Sequence, residues 1–131
     1  MKQKDLVEAY IAAKKLNEQT LKSGKIAKKI FELTSGLKRF FDFQVQEENK
    51  IFAEHPKYDL ELGGIPLGDN PSEEVKKQAE EELNVISNKL KELNGLESEF
   101  EFESFTISLD SVNLTISGKD IGTLSPFITF E

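Results

Sequence analysis

Two stretches of this chain repeat apolar residues at alternating intervals of four and three. The first runs Ile26, Ile30, Leu33, Leu37 and Phe40; the second runs Val75, Ala79, Leu83, Ile86, Leu90 and Leu93. Only an α-helix gathers residues so spaced into one stripe, and a stripe that long needs another helix or a sheet against it. The spacing therefore predicts two long helices, over about 24–54 and 71–94, zipped together antiparallel. A shorter helix over about 5–17 precedes them, with Asp5 as its cap and Leu6, Ala9, Tyr10, Ala13 and Leu16 on its buried face.

Local signals punctuate this pattern. Asn17 to Gly24 is polar and reads as a short connection, with Leu21 as an anchor and Ser23 as a cap. Ser35-Gly36 lies inside the second helix, where glycine costs about 1 kcal/mol relative to alanine, so a bend or a close helix contact is expected near Gly36. His55-Pro56 stops that helix. Residues 57–70 hold three glycines and a proline and read as an irregular, mobile connection at the tip of the hairpin. Asn70 then offers an N-cap, Pro71 the first helical position and Glu73 a carboxylate near the positive end of the helix dipole. Asn94-Gly95 closes the third helix.

Beyond Leu96 the period changes to two. Phe100 and Phe102 alternate with Glu99, Glu101 and Glu103, then Phe105, Ile107 and Leu109 follow after a phase shift at Ser104 that suggests a bulge. Val112, Leu114 and Ile116 alternate again, so Asp110-Ser111 could turn a hairpin, though without the glycine that a tight turn usually uses. Ser117 can cap a short last helix that ends near Pro126. The expected fold is α+β: one domain over 1–131, a long antiparallel helical hairpin with an N-terminal helix and a small β element over about 97–131, either a hairpin or a strand plus short helix.

Composition excludes several kinds of chemistry. There is no cysteine and a single histidine among 131 residues, which removes disulfides, thiol nucleophiles, zinc fingers and multi-histidine metal sites. No apolar run reaches the roughly 20 residues of a membrane span, and Met1-Lys2-Gln3-Lys4-Asp5 leads into an amphipathic pattern rather than a signal peptide. A cytoplasmic protein is expected. The net charge is −7, with 12 Lys/Arg against 9 Asp/Glu in residues 1–60 and 5 against 15 in residues 61–131. Direct nucleic-acid binding by so acidic a surface is not expected, because phosphate neutralisation needs clustered cations.

No catalytic, cofactor-binding or metal-ligating group emerges. His55 stands without a nucleophile and orienting partner, and a histidine at a helix end commonly serves the last carbonyls. Glu80, Glu81 and Glu82 point about 100° apart on a helix and cannot chelate together, which leaves them as surface residues. Gly63 to Gly68 lacks the spacing of a phosphate-binding loop. Glu97, Glu99, Glu101 and Glu103 would sit about 7 Å apart on one strand face, suited to cation binding or mimicry of phosphates, or to a solvated edge that discourages aggregation. Lys22, Lys25 and Lys29 share a helical face that could meet an acidic partner. Phe40, Phe41 and Phe43 cannot all face one core, so one or two of them are candidates for an interface. The candidate contact residues are thus Phe40, Phe41, Phe43, Lys22, Lys25, Lys29, Glu99, Glu101 and Glu103.

Four segments, Leu6-Val-Glu-Ala-Tyr-Ile-Ala-Ala-Lys-Lys-Leu16, Lys25-Ile-Ala-Lys-Lys-Ile30, Glu80-Glu-Glu-Leu-Asn84 and Ile121-Gly-Thr-Leu-Ser-Pro-Phe-Ile128, resemble a group of small proteins from tailed phages and prophages. The chain departs from that group at Lys22-Ser23-Gly24, where the group tends to place a proline-containing helix start. The resemblance implies a phage origin and no catalytic residue. It leads to the expectation of a non-enzymatic protein that works by contact with a protein partner or with itself, as a virion-assembly or accessory factor. The alternative is an acidic inhibitor of a bacterial defence system.

Overall fold

The computed structural model describes residues Met1 to Glu131. It contains four helices and one very small sheet: α1 (Gln3–Asn17), α2 (Gly24–Ala53), α3 (Glu73–Asn94), β1 (Phe105–Ile107), α4 (Gly118–Leu124) and β2 (Ile128–Phe130). The broad class is α+β. No helix is long and apolar enough to cross a membrane.

Helix α2 is the spine, and at about 1.5 Å per residue it is some 45 Å long. Its first half packs against α1, which runs the opposite way: Gln3 meets Phe40 and Gln44, and Tyr10 lies on Phe41 at 4.8 Å. Its second half meets α3, through Gln44 with Asn94, Glu54 with Lys89 and His55 with Glu82. Partners ascend along α2 as they descend along α3. Helices α3 and α1 thus lie nearly end to end on the spine, joined where Gln3 N–H donates to the Leu96 carbonyl at 2.7 Å and the Met1 and Ser98 backbones bond each other.

This division corrects the expected pairing of stripes. Ile30, Leu33, Leu37 and Phe40 are buried in one cluster with Leu6, Ala9, Tyr10, Ala12, Ala13 and Leu16 of α1, and no side chain of α3 belongs to that cluster. A four-three repeat states that a helix has a partner without saying which one. The alanines of α1 let it approach closely and take the best part of the α2 seam. Helix α3 is left with the polar continuation of that seam, Gln44, Glu48 and Ile51.

Of the two forms expected for the C-terminal part, a strand plus a short helix is present and the hairpin over 105–116 is not. Strand β1 pairs in parallel with β2, Phe105 opposite Ile128 and Ile107 opposite Phe130. Residues 98–104 form no strand, and residues 112–116 are tied to the segment after α1 by side-chain amides instead. Gln19 donates to the Thr115 carbonyl and accepts from its N–H at 2.7 and 2.8 Å, and Asn113 does the same with Thr20 and Lys22 at 2.8 and 2.9 Å. Alternation reported correctly which side chains face the helices, since Phe105, Ile107 and Val112 are buried. It carried no information about strand pairing.

Two of the four expected helix caps hold and two do not. Ser23 and Ser117 accept the N–H groups of Ile26 and Asp120. At α3 the cap is Ser72, which accepts from Val75, because Asn70 lies at φ 48° and so outside the extended conformation an N-cap requires. Pro71 consequently precedes the cap. Asp5 sits in the first turn of α1 rather than before it. Near Gly36 the expected close contact exists, but with the ring of Phe100 from the strap over α2, where a Cβ would lie 3.1 Å from that ring.

Leu37 is fully buried in the shared core. Leu37→Ala is expected to lower the unfolding free energy by about 2–5 kcal/mol, through lost burial and the cavity left behind. Leu83→Ala, on the half-exposed side of α3, should cost less than half as much. Urea titrations followed by helical circular dichroism check both.

Candidate interaction surfaces

The three neighbouring phenylalanines have different fates. Phe40 is buried and meets the edge of Phe100 at 5.6 Å, and Phe41 is half-buried against Tyr10. Phe43 alone is exposed, and with Ile51, Leu93 and Leu96 it lines a groove of about 400 Å³ on one side of the α2–α3 pair. Glu47, Lys50 and Glu54 form the charged edge of that groove.

The basic and acidic candidates lie on the end of the molecule built by α1 and the first half of α2. Lys22 and Lys25 are exposed, while Lys29 is half-buried with its ammonium 5.4 Å from the centre of the Phe105 ring. Glu99, Glu101 and Glu103 are exposed on an irregular segment rather than a strand. Nothing brings them together with one another or with the lysines, and no group of three or more Asp, Glu or His side chains converges as metal ligands would.

His55 is held differently from the helix-end role expected of it. Its Nδ1 lies 3.1 Å from Glu82 Oε1 and its Nε2 lies 3.2 Å from Lys89 Nζ. A lysine ammonium only donates, so Nε2 accepts, and Nδ1–H donates to Glu82. Both ring nitrogens are thereby occupied. Lys89 also donates to Glu54 Oε2 at 2.8 Å. Glu82 is therefore part of a clasp between the end of α2 and α3, not simply a surface charge. The hydrogen bond and the positive charge of Lys89 hold the Glu54 carboxyl below its ordinary pKa.

Within the connection 57–70, residues 59–64 form a built turn. Asp59 Oδ1 accepts the N–H groups of Glu61 and Leu62 at 2.9 and 3.2 Å, while its backbone pairs with Gly64. Gly63, at φ 68°, supplies the left-handed step that the turn needs. The result presents Leu60 and Leu62 to solvent, 67% and 70% exposed. Sequence reading missed these two, although the alternation Leu60-Glu61-Leu62 before two glycines was the available signal. It also missed Phe31, 58% exposed beside the buried Ile30.

No family model, characterised protein or solved structure matches this chain.

The clasp yields a signed prediction. A carboxyl with a depressed pKa contributes to stability above its unfolded value and loses that contribution as pH falls through its folded value. Lys89→Gln should return Glu54 to the ordinary carboxylate range, read by the pH dependence of its side-chain carbonyl carbon resonance. An unchanged midpoint would show that Lys89 is not the cause.

Proposed function

We propose that this protein acts by binding another protein through the α2–α3 arm, without chemistry of its own, as an assembly or accessory factor of phage or prophage origin. One observation carries this reading. Of eleven exposed large apolar residues, eight lie between Phe43 and Leu96, the part of the chain outside the shared core. Apolar groups gathered on one projecting element, rather than scattered singly, are the mark of a contact surface. Leu60 and Leu62 sit at the far tip, where a partner meets them first.

The occupied ring nitrogens of His55 support the non-enzymatic part of the reading, since a general base needs a free nitrogen within reach of substrate. A second reading, an acidic inhibitor of a bacterial defence system, draws on the exposure of Glu99, Glu101 and Glu103 in sequence. Reversing all three to lysine separates the two readings: it should abolish inhibition by mimicry and leave arm-mediated capture intact.

The main test places a photo-crosslinking residue at Leu62 in the native host and identifies what is captured. The double substitution Leu60→Asp, Leu62→Asp is expected to abolish capture of the same partner without changing the circular dichroism spectrum, because both side chains are solvated in the free protein. Capture that persists in the double variant would remove the tip from the interface.

A further inference from the structure

The apolar spacing of α3 makes a stripe five residues long, Ala79, Leu83, Ile86, Leu90 and Leu93, and α2 covers only half of it. Ala79, Ile86 and Leu93 are buried, whereas Leu83 and Leu90 remain half-exposed. The clasp explains the asymmetry. Glu82 and Lys89, seven residues apart and so on one row, are drawn onto the end of α2 by His55 and Glu54, which tips the neighbouring row of Leu83 and Leu90 outward.

That row opens on a second groove of about 410 Å³, on the side of the arm away from Phe43. Tyr58, stacked on Phe52 at 5.0 Å, forms one wall, and Val45, one heptad before Phe52, continues the same side of α2. Leu83, Asn84, Ser87, Leu90 and Asn94 form the other wall, and Lys91 is the only charged residue in the lining. In a chain with 31% charged residues this is a strip with one cation and no carboxylate, close to the composition of an interface core.

We infer that a second copy of this chain covers the groove, α3 against α3 in antiparallel register, so that two arms close into a four-helix bundle. The inference rests on the reading of the arm as a protein-binding element and names its partner. Two chains of net charge −7 repel, and they can meet closely only where carboxylates are missing. A strongly basic partner would find no counter-charge in the lining, and a strongly acidic one only Lys91. A two-fold axis at Ser87, the small residue in the middle of the strip, makes the contact self-complementary. It sets Asn84 opposite Leu90 of the other copy. It also brings Lys91 opposite Leu83, one helical turn from Glu80, so that each rim gains an ion pair of opposite sign. With the axis at Ser87 the two copies of α3 overlap over residues 80–94, about 22 Å, and at two helices wide the face offers roughly 440 Å² per copy, about half of a standard interface and so the size of a weak, concentration-dependent dimer.

The full chain provides the test. Sedimentation should give twice the 14.8 kDa chain mass. Because the chain has no cysteine, Ser87→Cys introduces a lone thiol at the axis, and mild oxidation should link two copies, while Val85→Cys on the other side of α3 should not link them. Glu80→Lys should raise the dimer dissociation constant about 5- to 30-fold, Lys91→Glu likewise, and the two together should restore it. Both positions are exposed, so folding is unaffected. A chain that stays at its single mass up to hundreds of micromolar, linkage through Val85→Cys instead of Ser87→Cys, or a charge swap that fails to restore pairing would each overturn the inference. A monomer still captured through Leu60 and Leu62 would overturn this pairing alone and leave the broader reading standing; a dimer linked through Ser87→Cys that captures no other protein would support the pairing.

Discussion

The architecture depends on a buried cluster of amides where three helices meet. Gln3 Nε2 donates to the Phe40 carbonyl at 2.8 Å and to Gln44 Oε1 at 3.2 Å, and Gln44 Nε2 donates in turn to Asn94 Oδ1 at 2.9 Å. Gln3 is 1% exposed, so a slip that left its amide unpaired would cost about 1–3 kcal/mol. Apolar contacts alone tolerate sliding by a turn; these directional bonds do not. They fix where α1 begins and where α3 ends on the spine, and every buried side-chain nitrogen and oxygen finds a partner.

From that joint the two halves of α2 enter different environments. Toward its N-terminus the helix is covered by α1 and by the strap carrying Phe100, while Phe105, Leu124, Phe127 and Ile128 complete the same core. Beyond Gln44 it has one partner helix. A pair of helices has no interior in the ordinary sense, since each side chain at the seam is open on one flank. There the burial of Ala79, Ile86 and Leu93 is supplemented by the Glu54–Lys89–His55–Glu82 clasp, and the outer flanks of the seam stay open.

What could be read from residues alone follows the range of each interaction. Helix α1, the extent of α2 to the Pro56 stop, and the serine caps at Ser23 and Ser117 depend on neighbours within four positions, and all were legible. Ser72 was hidden behind Asn70, because both residues cap and only the backbone angle at Asn70 decides between them. The parallel pairing of Phe105–Ile107 with Ile128–Phe130 joins segments more than twenty residues apart and leaves no local trace. Phe40, Phe41 and Phe43 illustrate the same limit at the surface. Their crowding showed that one must be exposed, but choosing Phe43 required knowing that Tyr10 and Phe100 cover the other two.

The run Glu80-Glu81-Glu82 shows why a stretch of like charge is not one feature. Each successive residue turns about 100° around the helix, so the three carboxylates face three environments. Glu82 points toward α2, where His55 Nδ1–H and the nearby Lys89 offset its partial burial. Glu81 faces away from the arm and needs only water. Glu80 is exposed on the same row as Ser87, two turns toward the start of the helix and so at the edge of the groove lined by Leu83 and Leu90. Composition treats these residues as equal contributions to an acidic half. Helical geometry draws one into the clasp between α2 and α3 and leaves the other two exposed on different faces.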